Sequence, residues 1–295
     1  MKNENKKERG NGVVICPKRI LSLCSGIGGI DIGIEAAINC RTVCYVEQDA
    51  FAASVLVARM ENAALDPAPI WDDVSTFDGK PWRGIVSGVV AGFPCQPISV
   101  AGKRKGKQDD RWIWKDIIRI VREVRPDFVF LENVPGILSM GIGTVLGGLA
   151  ESGFNAEWIT LSAGNVGSPQ KRERWFLLAH TVSVSSQRRR RPDEMVRTTR
   201  GIEKAWNQRK RRGNALDHSG SLFPPGPNEE NLWKSYLEKN AAAEPALCGN
   251  VNGVSAGLDE SRRERLRALG NSVVPLQAAI AFDFLANRAG LAFEH

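Results

Sequence analysis

Cys95 is set apart from the other five cysteines by its neighbours. It lies in AGFPCQPIS (91–99), with Pro94 before it and Gln96-Pro97 after it, directly behind an apolar strand-like run. A thiol that only fills a core has no use for prolines on both sides; a thiol held out into a pocket on a stiff backbone does. To act as a nucleophile it must ionise, and a free thiol with a pKa of about 8.5 needs positive charge or helix-end amides nearby. QKRER (170–174) offers guanidinium groups, and Glu132 in FLENVPG closes another apolar run beside Asn133. A thiol, a carboxyl and an arginine at one sheet edge would make a reactive constellation suited to covalent catalysis. Taken singly, Glu132 reads equally as a structural carboxylate paired with an arginine. Cys16, Cys24, Cys40, Cys44 and Cys248 read as small buried hydrophobes.

A second group of residues could hold a ligand beside that chemistry. LCSGIGGIDIG (23–33) sets Gly26, Gly28 and Gly29 between a strand and a helix, where glycine lets a ligand approach the backbone. A GxGxxG fingerprint would need glycine at position 31, which is Asp31, so an adenosine-bearing ligand without phosphates fits better than a dinucleotide. Glu47 in CYVEQD ends the next strand, where α/β folds bind ribose hydroxyls. Asp72 or Asp73 in WDDVSTF could accept from an adenine amino group, though either taken singly reads first as a helix cap.

The elements that must position these residues follow from periodicity. Between residues 19 and 180, RILSLCS, TVCYVE, GIVSGVVAG, DFVFLENV, AEWITL and RWFLLAH read as strands. They alternate with the helical patterns GGIDIGIEAAIN, DAFAASVLVARMENA, WIWKDIIRIVREV and GTVLGGLAESG. Such alternation predicts an α/β fold, a mostly parallel sheet with helices on both faces, with the ligand at the carboxyl ends of the strands. Residues 1–18 read as a charged tail, 19–180 as the catalytic and cofactor-binding domain, and 181–250 as a small irregular basic region. Residues 251–295 read as two helical stretches around a Gly-Asn turn that fold back onto the domain, beside the first strand.

Composition narrows the class. With 295 residues, 42% of them hydrophobic, the chain can bury a sizeable core. No apolar run approaches the roughly 20 residues of a membrane span, and MKNENKKERGNG lacks the apolar region of a signal peptide, so a cytoplasmic protein is expected. Cysteine and histidine spacing argues against a zinc site or a disulfide framework. The net charge of +7 is local: eleven Lys/Arg face three Asp/Glu between Arg188 and Arg212. That run reads as a solvated face or as a phosphate-binding segment.

The ordered set SGIGG, GFPCQPIS, FLENVPG, SPQKRERWFLLA and ALGNSVVP resembles the motif series of the DNA cytosine-5 methyltransferases over about residues 19–180 and 260–290. The resemblance implies a Rossmann-like S-adenosylmethionine-dependent fold with a small target-recognition region. It further implies methyl transfer from S-adenosyl-L-methionine to C5 of a cytosine flipped out of duplex DNA. By resemblance Cys95 attacks C6 as thiolate, Glu132 holds a proton toward N3 and the exocyclic amine, and Arg174 holds O2, with Arg172 near the thiol and phosphate. The cofactor residues carried over are Cys24, Ser25, Gly26, Ile27, Gly28 and Gly29 in the turn, Glu47 at the ribose, and Asp73 with Val74 at the adenine. Gly92, Pro94, Asn271, Ser272 and Val273 take the methionine side. Gln96, Ser99, Gln170 and the run Arg188, Arg189, Arg190, Arg191 are expected at DNA. VAGKRKGKQDDR (100–111) resembles the mobile loop that closes over the flipped base. The resemblance implies a monomer without metal or membrane, with a cognate restriction endonuclease as a candidate partner.

One departure stands out. The longer motif with an FP ending that precedes GNSVVP in most bacterial members is missing, and the ending resembles shorter phage- and prophage-type members. A tRNA cytosine-5 methyltransferase shares the catalytic core, but its CFT signature does not occur here. A prophage remnant that binds DNA without turnover is the non-enzymatic alternative.

Overall fold

The computed structural model describes residues 16–94, 113–168, 171–181 and 262–293. Within them the β-branched and aromatic runs form strands β1 (Lys18–Leu23), β2 (Cys40–Val46), β3 (Ile70–Trp71), β4 (Gly88–Gly92), β5 (Phe128–Asn133), β6 (Phe154–Ser162) and β7 (Glu173–Thr181). The helices are α1 (Gly29–Ala37), α2 (Ala50–Glu61), α3 (Trp114–Val124), α4 (Ile137–Met140), α5 (Ile142–Glu151), α6 (Arg262–Asn271) and α7 (Pro275–Ala289). Residues 1–15 and 182–250, which hold most of the expected tail and recognition region, lie outside the described residues.

The strands form one sheet in the order β3-β2-β1-β4-β5-β7-β6. Its pairings are parallel from β3 to β5, whereas β7 runs against both β5 and β6. The expected α/β fold with a mostly parallel sheet is therefore the one observed, with β7 as its reversed strand. The reversal has a simple cause: ten residues (163–172) join β6 to β7, too few for the dozen or so that a parallel crossover needs. β3, only two residues long, is too short to show a periodicity of its own and ends directly before Asp72.

Strand alternation buries both faces of the sheet. On β5, Val129 and Leu131 pack with Ile117, Ile120 and Val121 of α3 and Val145 and Leu149 of α5. Phe128 and Phe130 face the other way, with Ile34 of α1 and Leu276, Ile280 and Phe282 of α7. There Phe130 stacks on Phe176 at 5.8 Å between centroids, and Phe282 meets Phe130 edge-on at 5.2 Å. Helices α1 and α7 touch through Gly33, where a Cβ would lie 2.5 Å from the Pro275 carbonyl oxygen. The stretch Leu266–Ala289 is long and apolar enough to count as a membrane-span candidate, contrary to the sequence reading. It is two helices, broken at residues 272–274, and the second buries Leu276, Phe282 and Leu285 in the core.

The residue that breaks the glycine fingerprint has a structural task. Asp31, fully buried, accepts hydrogen bonds from Ser22 Oγ (3.1 Å) and Thr42 Oγ1 (3.0 Å), tying α1 to β1 and β2. Burial pushes its carboxyl up to about 6, against the pull of those two hydroxyls.

Candidate active site

Beyond the carboxyl ends of β1, β2, β4 and β5 opens a cavity of about 750 Å³. Its first wall is the turn after β1. Cys24, Gly26 and Gly28 there take positive φ (50°, 55° and 78°), which turns the chain sharply into α1. Ser25 Oγ donates to the Ser22 carbonyl and accepts from the Val46 amide, fastening the turn to β2. Glu47, at the tip of β2, reaches back across it: its carboxylate accepts from the amides of Gly26 (2.6 Å) and Asp49 (2.8 Å). Each oxygen keeps a further lone pair for a ligand hydroxyl. Burial, then the charges of Glu47 and Asp116, push the Cys24 thiol up to about 12, so this cysteine is a neutral wall rather than a nucleophile.

The opposite wall comes from β4, β5 and the start of β7. Glu132 is 6% exposed and its carboxylate meets Arg174 Nε at 2.8 Å. Because β7 runs backwards, its first residues, not its last, stand beside the end of β5. The contact with Arg174, and the charge of Arg172 behind it, favour the carboxylate, but burial outweighs both and pushes the Glu132 carboxyl up to about 7. The next residue, Asn133, donates from Nδ2 to the Phe93 carbonyl at 3.0 Å. It thereby anchors the backbone two residues ahead of Cys95. A Cβ at Gly92 would come within 2.9 Å of Ile30 Cδ1 and 3.3 Å of Glu132 Oε2, so glycine leaves that wall open.

The far end of the chain closes the cavity. Glu264, Arg267 and Ala268 of α6 line it, together with the turn from Gly270 to Val273. Arg267 pairs with Asp49 at 2.7 Å, and Asp49 also caps α2 by accepting from the Ala52 amide.

Most residues expected at the site from sequence lie on this cavity. Cys24, Ser25, Gly26, Ile27 and Gly29 line it, as do Glu47, Val74, Gly92 and Pro94; Glu132, Arg174, Asn271, Ser272 and Val273 complete the set. Three described ones do not line it. Gly28 backs onto Leu65 and Leu56. Asp73 accepts from the Ser75 amide at 2.8 Å, closing its own turn and holding its carboxyl below the usual range. The Arg172 side chain goes to the carbonyls of Gly270 and Ser272. Cys95, Gln96, Ser99, Gln170, Arg188, Arg189, Arg190 and Arg191 lie outside the described residues. Asn133, Asp49 and Arg267 were not singled out from sequence. Only the ENV motif marked the first, and nothing local marks partners so far away in the chain. Among the described residues no cluster of three or more His, Cys, Asp or Glu could hold a metal ion.

Known proteins are similar to this chain in sequence and in fold. The Type II methyltransferase M.CviJI of Paramecium bursaria Chlorella virus IL3A is 31% identical over 163 residues, 55% of this chain and 42% of that protein. The chain thus spans less than half of the viral relative. M.AquIA, a Type II methyltransferase of Picosynechococcus sp., is 31% identical over 186 residues, 58% of this chain and 75% of that one. The solved structure of the S. pombe Dnmt2 methyltransferase superposes with a TM-score of 0.58 at 17% identity, covering 93% of this chain and all of that one, a likeness of fold. The family model for C-5 cytosine-specific DNA methylase matches residues 18–241. With three quarters of the sequence under that match, the chain belongs to the C-5 cytosine-specific DNA methylase family.

Proposed function

We propose that this protein methylates C5 of cytosine in duplex DNA, with S-adenosyl-L-methionine as donor. The observation that carries the reading is the buried Glu132–Arg174 pair set across one cavity from the glycine turn and Glu47. The cavity residues fit the donor. Glu47 keeps lone pairs for ribose hydroxyls, Val74 offers an apolar contact for adenine, and the wall at Gly92 has no room for a side chain. The turn from Cys24 to Gly29, Pro94, Asn271, Ser272 and Val273 would hold the remainder, and Asp73 would serve the adenine only if released from its own turn. Bound there, S-adenosyl-L-methionine supplies a methyl group on a positively charged sulfur.

The protein residues then have complementary tasks. The Cys95 thiolate adds to C6 of a cytosine turned out of the stack, forming an S–C6 bond and pushing electrons toward C5 and N3. Glu132, whose raised pKa keeps a proton at hand near neutrality, donates to N3 and neutralises the charge that develops in the ring. Arg174, turning from Glu132, donates to O2 as an oxyanion hole does. C5 becomes nucleophilic enough to accept the methyl group. Transfer of the methyl group would leave S-adenosyl-L-homocysteine; loss of the C5 proton to solvent, return of the N3 proton to Glu132 and expulsion of the Cys95 sulfur then restore the aromatic ring and the free thiolate. The basic run at residues 188–212 would follow DNA phosphates.

The test is transfer of labelled methyl from S-adenosyl-L-methionine to mixed-sequence duplex DNA, with wild type beside Cys95→Ser. Label recovered as 5-methylcytosine with wild type alone supports the reading, and bisulfite sequencing then gives the target site. Label in tRNA but not DNA would move the substrate class, and label persisting in Cys95→Ser would sink the mechanism.

A further inference from the structure

Arg172 stands in the QKRER segment with Arg174, and the two side chains divide their contacts unequally. Arg174 pairs with Glu132 and reaches the Gly270 carbonyl only at 3.5 Å, while Arg172 Nη2 donates to the carbonyls of Gly270, at 2.6 Å, and Ser272. Those carbonyls flank Asn271, and all three residues line the cavity. They also lie at the carboxyl end of α6, where the last carbonyls lack helical partners and the helix dipole favours a cation. Among the described residues the turn is otherwise held by the Ser272 amide to Ala268, by Ser272 Oγ to Leu269, and by a long 3.5 Å contact from Arg174 Nη2 to the Gly270 carbonyl.

The backbone of Arg172 is held just as firmly. Its carbonyl accepts from the Ala163 amide at 2.9 Å and from Gln277 Nε2 at 2.9 Å, and Gln277 stands in the first turn of α7. One residue therefore grips both sides of the α6–α7 link: the side chain holds the turn before it and the main chain holds the helix after it. Among the described residues Arg172 Nε is buried without a hydrogen-bond partner.

We infer that Arg172 is a positioning residue for the cofactor: its guanidinium holds the Gly270–Ser272 turn, and Asn271 with it, against the cavity. This rests on the cavity being the S-adenosyl-L-methionine site. Loss of Arg172 should then weaken cofactor binding itself, whereas loss of Arg288, an α7 arginine paired with Glu157 outside the cavity lining, should not.

Calorimetric titration of the full chain with S-adenosyl-L-homocysteine, without DNA, separates the possibilities. Losing two bonds from a charged donor to carbonyls predicts a Kd raised about tenfold or more in Arg172→Gln. Arg172→Lys keeps the charge but not the fork and should fall between wild type and Arg172→Gln. Arg288→Gln, which removes an α7 arginine paired with Glu157 outside the cavity lining, should stay within about twofold of wild type. If Arg172→Gln does not fold, as judged by its melting transition, Arg172→Lys carries the test together with hydrogen exchange at the Ser272 amide, which should speed up. An unchanged Kd in the Arg172 variant that folds, or equal weakening in Arg288→Gln, overturns the assignment while leaving the cavity reading intact. No binding by wild type overturns the cavity reading and this assignment with it.

Discussion

Glu132 carries the most chemistry of any described residue, because burial holds its carboxyl near neutrality while Arg174 stays within 2.8 Å. Its folded pKa lies above the ordinary value, so the proton is bound more tightly in the folded state. The associated stability is complete below about 4.5 and lost as pH rises through about 7. In the proposed mechanism the same proton serves catalysis, so the rate of the methyl-transfer step should fall above about pH 7 when measured in single turnovers with Cys95 fully engaged. Glu132→Gln should remove that alkaline limb and lower the rate by about a hundredfold or more. Asn133 makes a different prediction. Asn133→Leu removes the hydrogen bond to the Phe93 carbonyl, so single-turnover rates should drop about tenfold or more. Affinity for S-adenosyl-L-homocysteine should stay within about twofold. Glu132 and Arg174 were legible because each sits in a short, specific string. The task of Asn133 was not, since its partner lies 40 residues away and only the folded sheet brings them together.

The elements were legible where periodicity is strong, and less so where topology decides. Strands β1, β2, β4, β5, β6 and β7 all follow β-branched runs, and α3 buries an apolar stripe at helical spacing. The direction of β7 is set by the brevity of the link before it, a feature that no single segment displays. Asp31 shows the same limit: in sequence it is a missing glycine, in the fold a buried tie between three elements. Its raised pKa means that stability from Asp31 is present below about 4 and lost as pH rises through about 6. Asp31→Asn should therefore gain on wild type by on the order of 2–3 kcal/mol between pH 4 and pH 7, read as the difference in unfolding free energy. At the α1–α7 contact, Gly33→Val would drive a side chain into the Pro275 carbonyl and Ala278. A loss of about 1–3 kcal/mol in chemical denaturation is expected.

For the whole molecule, the two ends of the described sequence complete one core and one cavity. Phe293 packs on Phe128 and Phe282 at 5.4 and 5.1 Å between centroids, and Lys18 Nζ lies 5.9 Å from the Phe293 ring, over the first residue of β1. Segment 262–293 joins the rest through side-chain packing, the Arg267–Asp49 pair and the Arg172 grip. None of these depends on the order in which the two pieces are translated. A rearranged gene that placed residues 262–293 first, joined by a short linker to residue 18, would therefore specify the same cavity. Such a circular permutant should melt cooperatively and still bind S-adenosyl-L-homocysteine. The serial order of the motifs would then be a matter of descent, while their meeting in space is a matter of physics.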